Sequence, residues 1–149
     1  MKNSIVEFIE NQKSSTLCCV DEYGKPYCFS CLYVFNAEHV LLYFKSSSKS
    51  KHCGILLKNP SVAGTILPDK INVLMIKGIQ FEGTVLPANH FLANQASLYY
   101  YKKNPGAVAI GGDIWIVRID NIKMTDSKLG FGKKITWSRN EIAATALVE

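Results

Sequence analysis

The sequence has few charged residues, and its middle has no acidic ones. Only 19% of the 149 residues are charged, yet the formal net charge is +5. Residues 39–68 contain no Asp or Glu, although four lysines fall there: Lys45, Lys49, Lys51 and Lys58. Because the positive charge is concentrated in one acid-free stretch, the sequence favours a local site for an anion over general attraction to nucleic acid.

A long apolar segment is also lacking. No apolar run approaches the roughly 18 residues that span a bilayer. The first apolar stretch contains Glu7 and Glu10, which the uncharged core of a signal peptide excludes. We therefore expect a cytoplasmic protein that does not enter a membrane.

Cysteine is present in an odd number, five, which is typical of reduced thiols rather than of a disulfide framework. Cys28 and Cys31 form a CxxC, but residues three apart on a strand point to opposite faces. The adjacent Cys18 and Cys19 diverge in the same way. We expect no metal site here, and we interpret the cysteines as small buried hydrophobic residues.

Hydrophobic periodicity and turn residues predict a mainly β domain over residues 1–149. Helices are predicted at residues 4–12, 51–58 and 89–103, the first with a capping box from Ser4 and Glu7, and the last the longest, stopped at Asn104-Pro105-Gly106. Strands are predicted at residues 16–20, 26–35, 39–44, 62–67, 72–86, 114–119, 122–125 and 133–137. Gly78 and Gly83 are candidates for bulges. The order favours a closed or nearly closed antiparallel barrel with attached helices.

A basic, hydroxyl-rich segment precedes the second predicted helix. Residues 45–52 contain three lysines, four serines and His52. Hydroxyls, free backbone N–H groups and the helix dipole all favour a phosphate at such a position. The alternative is a solvated loop in which Ser50 only caps the helix.

Other candidate motifs are weaker. His39 and His90 stand alone, and residues 130–134 lack the glycine spacing of a phosphate loop. Tyr99 to Tyr101 precede Lys102 and Lys103, but on a helix Tyr99 faces the core stripe and the other two face outward. One basic cluster is not the stripe that nucleic-acid-binding proteins display, so we expect no nucleic-acid partner.

Several short motifs resemble one known family. Gly24-Lys25-Pro26, Leu42-Tyr43-Phe44, Ser50-Lys51-His52 and Asn59-Pro60-Ser61-Val62 occur in the order and spacing of the pyridoxamine 5'-phosphate oxidase-related family of FMN-binding split barrels. Residues 76–83 and 122–134 further resemble a small bacterial branch of that family without an assigned reaction, the YhbP-type proteins. The resemblance extends over nearly the whole chain.

The resemblance implies a six- to seven-stranded split barrel that forms a homodimer with two FMN sites at the subunit interface. The family's Ser-Arg-Lys phosphate triplet corresponds to Ser50, Lys51 and His52. Lysine for arginine loses a bidentate contact, and histidine for lysine makes the second charge depend on pH, so we expect the phosphate to be held less tightly above about pH 6.5. The third-strand contacts correspond to Lys45 and Ser46. The residues under the flavin ring correspond to Phe29, Ser30, Cys31 and Leu32, with Tyr33 next along the strand.

The chain departs from the family at its C-terminal part. The oxidases carry a Trp and an Arg there, and the Trp position falls near Thr125. Pyridoxamine-phosphate oxidase activity is therefore not transferred to this chain. Lys133, Lys134 and Trp137 are candidates to fill the same space from the partner subunit.

Two hypotheses of function follow. The first is an FMN-dependent oxidoreductase of unknown substrate, in which the flavin performs hydride or electron transfer. The second is a non-catalytic flavin or haem binding or carrier protein, motivated by the absence of a convincing acid–base pair. In the haem case His52 or His90 is the candidate ligand.

Overall fold

The computed structural model describes residues 1–130 and 133–140. That part of the chain contains three α-helices: α1 (Asn3–Asn11), α2 (Lys51–Lys58) and α3 (Ala96–Lys103). It contains seven β-strands: β1 (Ser14–Val20), β2 (Pro26–Asn36), β3 (Leu41–Ser46), β4 (Ser61–Ile66), β5 (Lys77–Leu86), β6 (Asp113–Asp126) and β7 (Lys134–Ser138). Short 3₁₀ segments lie at Phe91–Ala93, Pro105–Ala109 and Ser127–Leu129.

Six of the strands close into an antiparallel barrel. The strand order is β3-β2-β1-β4-β5-β6-β7, and β3 also pairs with β6 to complete the ring. β6 is long enough to serve two neighbours on one side: its first half pairs with β3 and its second half with β7. The predicted mainly β barrel with attached helices is therefore confirmed.

The barrel interior and one flank hold two separate apolar clusters. The interior cluster takes alternate residues of the strands and is closed at one end by α1, which contributes Ile5, Phe8 and Ile9. The buried Tyr33 hydroxyl donates to the carbonyl of Ile9 at 2.6 Å and fixes α1 on β2. The second cluster lies outside the barrel, where α3 packs Tyr100 against the sheet.

The predicted start of α1 is wrong in its details. The helix begins at Asn3 with Lys2 at the N-cap position, and no side chain caps it. Ser4 lies inside the first turn, so its hydroxyl is not where a capping box needs it.

The predicted strand over residues 72–86 is too long. Residues 72–76 form a turn in which the Asn72 side chain accepts from the N–H of Leu74 at 3.0 Å, and β5 begins only at Lys77. The register shift at Gly83 confirms a bulge there, whereas Gly78 pairs in regular register with Thr125. The two strands predicted at residues 114–119 and 122–125 are one strand of 14 residues, β6.

The predicted helix over residues 89–103 is broken. The His90 imidazole accepts from the N–H of Leu92 and caps a 3₁₀ turn, and α3 begins only at Ala96. With eight residues α3 is shorter than α1, which has nine. Leu98 is 73% exposed, and it is Tyr100 rather than Tyr99 that is buried, because the break changes which face meets the sheet.

The tail at residues 141–149 and the pair Phe131-Gly132 lie outside the described residues. No helix in the described part of the chain combines the length and apolar character needed to cross a membrane.

Replacement by alanine is expected to affect stability in opposite directions at Gly83, beside the bulge, and at Gly54. A Cβ at Gly83 would collide with the backbone carbonyl of Arg118, whereas one at Gly54 in α2 meets open space. We expect Gly83→Ala to lower the free energy of unfolding by about 1–3 kcal/mol through overpacking. The control Gly54→Ala is expected to raise it by about 0.5–1 kcal/mol, the usual gain in a helix. Urea denaturation of both variants tests this, and equal midpoints would contradict it.

Candidate functional site

The candidate site lies where β2 and β3 separate. Their ladder ends at the pair Tyr33 and Phe44. Beyond it, Lys45 and Ser46 of β3 pair with β6, while residues 29–32 of β2 pair with β1. Because each strand has another neighbour, the two diverge without leaving their backbones unpaired, and a cavity of about 620 Å³ opens between them.

The cavity has three walls, and none of the described residues that line it is acidic. β2 and β3 supply two walls, and the segment from the end of α3 to β6 supplies the third. The described residues that line it are Phe29, Ser30, Cys31, Leu32, Phe44, Lys45, Ser46, His52, Tyr100, Lys103, Asn104, Pro105, Gly106, Ala107, Ile110 and Gly111. Lysines and hydroxyls without an opposing carboxylate suit an anionic ligand with an apolar portion.

A compact polar cluster lies beside the cavity, where β3 leads into α2. His52 Nε2 is 2.7 Å from the Ser46 hydroxyl and 3.1 Å from the Ser50 hydroxyl, and the two hydroxyls are 3.3 Å apart. Ser50 is the N-cap of α2 and accepts from the N–H of Cys53. The cluster thus combines two hydroxyls, an imidazole and the positive end of a helix dipole, all of which suit phosphate.

The imidazole of His52 is held by stacking. Its ring lies on that of Phe29, with centroids 3.8 Å apart and planes 10° from parallel. Burial lowers the pKa of His52 from its ordinary value of 6.5, because the cation is desolvated. In the free protein the ring is therefore neutral at pH 7 and accepts at Nε2 when a serine donates to it.

Lys45 is engaged rather than free. Its ammonium donates to the Tyr101 hydroxyl at 2.9 Å and to the Ala107 carbonyl at 2.7 Å, and it lies 4.8 Å from the centre of the Tyr101 ring. These contacts fasten the third wall of the cavity to β3. Lys45 therefore both shapes the cavity and adds positive charge to it.

Three predicted site residues lie elsewhere in the single chain. The Lys51 ammonium is 4.6 Å from the centre of the Tyr27 ring and does not line the cavity. Trp137 lines a different concave surface on the outside of the barrel, and Lys133 follows the turn at Gly130. Their predicted contacts with a cofactor stay predictions, and for Lys133 and Trp137 that prediction involves a partner subunit.

The third wall was missed by sequence reasoning. Tyr100, Lys103 and residues 104–107, 110 and 111 reach the cavity because α3 packs across the sheet and its continuation turns back along β3. The only local signal is the helix stop at Asn104-Pro105 followed by small residues. That pattern indicates a turn and says nothing about what the turn faces.

Solved structures with a similar chain path define the class of protein. A pyridoxamine 5'-phosphate oxidase-related, FMN-binding protein from Nostoc punctiforme matches with a TM-score of 0.68 at 10% identity, covering 94% of this chain and 91% of that one. A heme-binding protein from Mycobacterium smegmatis matches at 0.73 and 15% identity, covering 92% and 57%. A FAD-binding protein from Mesorhizobium loti matches at 0.63 and 14% identity, covering 85% and 95%. The fold is the split barrel of pyridoxamine 5'-phosphate oxidase-related proteins.

Relatives in sequence define the family within that class. The UPF0306 protein of Photorhabdus laumondii is 36% identical over 135 residues, which cover 91% of this chain and 94% of that protein. The UPF0306 protein YhbP of Escherichia coli is 34% identical over 122 residues, covering 82% and 83%. No protein-family model matches the chain. The chain belongs to the UPF0306 family of YhbP-type proteins, as its motifs predicted.

The environment of His52 predicts its titration. Because burial lowers its pKa in the folded state, ligand-free protein is expected to show a His52 midpoint below 6.5 in an NMR titration of the ring protons. The unfolded chain then binds the proton more tightly, so this residue's contribution to stability is present above pH 6.5 and is lost as pH falls through the folded pKa. His52→Gln identifies the resonance and removes that contribution. A midpoint at or above 6.5 would contradict the expectation.

Proposed function

We propose that this chain is an FMN-binding protein that holds the cofactor in the cavity between β2 and β3. The observation that carries the proposal is the cluster of Ser46, Ser50 and His52 at the start of α2, beside a cavity whose described lining residues include no Asp or Glu. FMN combines a phosphate with a flat aromatic ring system. The cluster suits the first and the apolar part of the cavity suits the second.

The phosphate lies against the cluster in this proposal. Ser46 and Ser50 turn their hydroxyls from His52 toward phosphate oxygens, and the first N–H groups of α2 point the same way. A phosphate at this position raises the pKa of His52, so that the imidazole takes up a proton on binding and donates to the anion. Lys51 reaches the anion only by leaving the Tyr27 ring.

The residues that would hold the ring system lie on β2 and on the segment that follows α3. Residues 29–32 form one side, and the segment containing Ala107 and Ile110 forms the other. Lys45 keeps that segment in place through its bonds to Tyr101 and Ala107. The ring is thus oriented by packing, while the phosphate fixes its position along the cavity.

A second copy of the chain covers the open side of the cavity. Leu32 and Ile110 line the cavity and are still 65% and 64% exposed, and exposed apolar side chains at such a place favour an interaction surface. A homodimer with FMN at the interface buries these side chains and excludes water from the ring. It also allows Lys133 and Trp137 of the partner to approach the cofactor.

Bound FMN supplies hydride or electron transfer, which makes an oxidoreductase of unknown substrate the corresponding activity. The chain's own part is to anchor, orient and desolvate the cofactor. Non-catalytic flavin or haem carriage is the alternative. Haem ligation fits the described residues less well, because His52 Nε2 is engaged by two serines and His90 caps a turn away from the cavity.

The proposal predicts which variants lose FMN. Ser50→Ala and His52→Ala are each expected to weaken FMN binding about tenfold to hundredfold, because each removes a hydrogen bond to a charged group. The matched control is Lys58→Ala at the opposite end of α2, where the lysine pairs with Glu22 and no change is expected. Quenching of FMN fluorescence on titration measures the affinities.

Reconstitution of the protein with FMN or with haem distinguishes the proposed function from its alternatives. Protein mixed with FMN is expected to retain flavin absorbance after gel filtration, with affinity that falls between pH 6 and pH 8 in the parent but not in His52→Gln. No bound flavin, or affinities unchanged in all variants, would refute the proposed site. A retained haem spectrum without flavin would favour the haem alternative. Failure of NADH and NADPH to reduce bound flavin would favour carriage over catalysis.

The exposed apolar side chains at the cavity lead to a prediction of the oligomeric state. The parent is expected to sediment as a dimer, and Leu32→Glu is expected to shift it toward monomer by placing a charge in the apolar contact. Leu57→Glu, an equal change at an exposed leucine on α2, is expected to leave the dimer intact. Sedimentation velocity tests this, and a monomeric parent would overturn the interface.

A further inference from the structure

Two cysteine side chains face each other across neighbouring strands. Cys18 of β1 is the direct partner of Cys28 of β2, and both are free thiols. Cys28 is exposed and Cys18 is half-buried. Both line the concave outer surface that also includes Trp137, and neither lines the cavity assigned to FMN.

Hydrogen bonds at the two ends of the β1–β2 ladder show whether Cys18 and Cys28 form a hydrogen-bonded or a non-hydrogen-bonded pair. The N–H of Tyr33 donates to Lys13, and that of Asp21 donates to Lys25, each at 3.0 Å. Hydrogen-bonded and non-hydrogen-bonded pairs alternate along an antiparallel ladder. Counting from either end places Cys18 and Cys28 in a non-hydrogen-bonded pair.

That pair type brings the two sulfurs within bonding reach. Directly opposed residues in a non-hydrogen-bonded pair have Cα atoms about 4.5 Å apart, and their side chains are closer than in the alternative pair. Disulfides join Cα atoms separated by about 4.4–6.8 Å. A bond between Cys18 and Cys28 therefore needs rotation of side chains and little movement of the strands.

The other three cysteines are poorly placed to compete. Cys19 is buried and its thiol donates to the Tyr27 carbonyl at 3.5 Å. Cys53 belongs to the buried face of α2 and is fully buried. Burial raises the pKa of Cys31 to about 12, so its thiol stays protonated at neutral pH and is a poor nucleophile.

We propose that Cys18 and Cys28 are a modification site, a dithiol that closes reversibly to an intramolecular disulfide with a small disulfide such as oxidised glutathione as oxidant. The exposed Cys28 sulfur, as thiolate, attacks oxidised glutathione and releases one glutathione thiolate. The Cys18 sulfur then attacks the mixed disulfide at Cys28 and releases the second glutathione. Two protein thiols are oxidised, one disulfide is reduced to two thiols, and the protons pass to the released glutathiones.

The order of attack follows from the surroundings of each thiol. Cys28 meets solvent, whereas Cys18 is partly covered and the adjacent Cys28 raises the pKa of its thiol. Cys28 is thus the attacking residue and Cys18 the resolving one. The bond fixes β1 to β2 one residue from Phe29, on which His52 stacks, although the dithiol chemistry does not depend on what the cavity binds.

The test is oxidation of the full chain with a mixture of oxidised and reduced glutathione, followed by acid quenching, alkylation of remaining thiols and peptide mapping. The parent is expected to lose two hydrogen atoms, to leave three of its five thiols alkylatable, and to yield one cross-linked peptide pair containing Cys18 and Cys28. Dithiothreitol is expected to restore all five. The parent measurement does not depend on the folding of any variant.

Variants identify the roles. Cys18→Ser is expected to accumulate a stable glutathione adduct at Cys28, and the control Cys31→Ser is expected to form the internal bond as the parent does. A stable glutathione adduct in the parent, a cross-link through another cysteine, or a disulfide between two copies would overturn the proposal. Circular dichroism checks that each variant has the fold of the parent.

Discussion

The separation of β2 from β3 is the constraint on which the candidate site depends. Backbone groups in a sheet need partners, and an unpaired strand edge is a liability. Here β2 continues along β1 while β3 continues along β6, so both remain paired where they part. The gap between them becomes a cavity, and Phe44 at the point of separation forms its floor. The pairing of β3 with β6 therefore both closes the barrel and allows the cavity to open between β2 and β3.

The polar cluster at the cavity has its hydrogen bonds satisfied without a ligand. A lysine at position 52 would remain charged in the free protein, whereas His52 is neutral and is satisfied by two serine hydroxyls. Without an anion nearby, its ring becomes charged only at pH values below its ordinary pKa. The cluster therefore avoids an unpaired cation beside the Phe29 ring at neutral pH.

Because successive side chains of a strand point to opposite faces, β2 contributes both to the interior and to the outer surface of the barrel. Phe29 and Cys31 point toward the apolar interior, where they pack on the core, while Cys28 lies on the outer surface opposite Cys18. Because of this alternation, Cys28 and Cys31 point to opposite faces of β2 and cannot converge on one metal. The corollary, that an outward cysteine meets a cross-strand neighbour, required the register, so treating Cys28 as a small buried residue was wrong.

The sequence by itself determined the elements whose signals are local. Helix α2 has the predicted bounds because Ser50 caps it and Asn59-Pro60 ends it, and the β1–β2–β3 meander follows from runs of β-formers between turn residues. It also determined the family, through motifs spread along the chain. Only the tertiary structure decided that His90 breaks a helix, that β6 is one strand shared by three neighbours, and that residues 104–107, 110 and 111 line the cavity. These features depend on register and packing between segments far apart in sequence, and such contacts leave no local pattern to read.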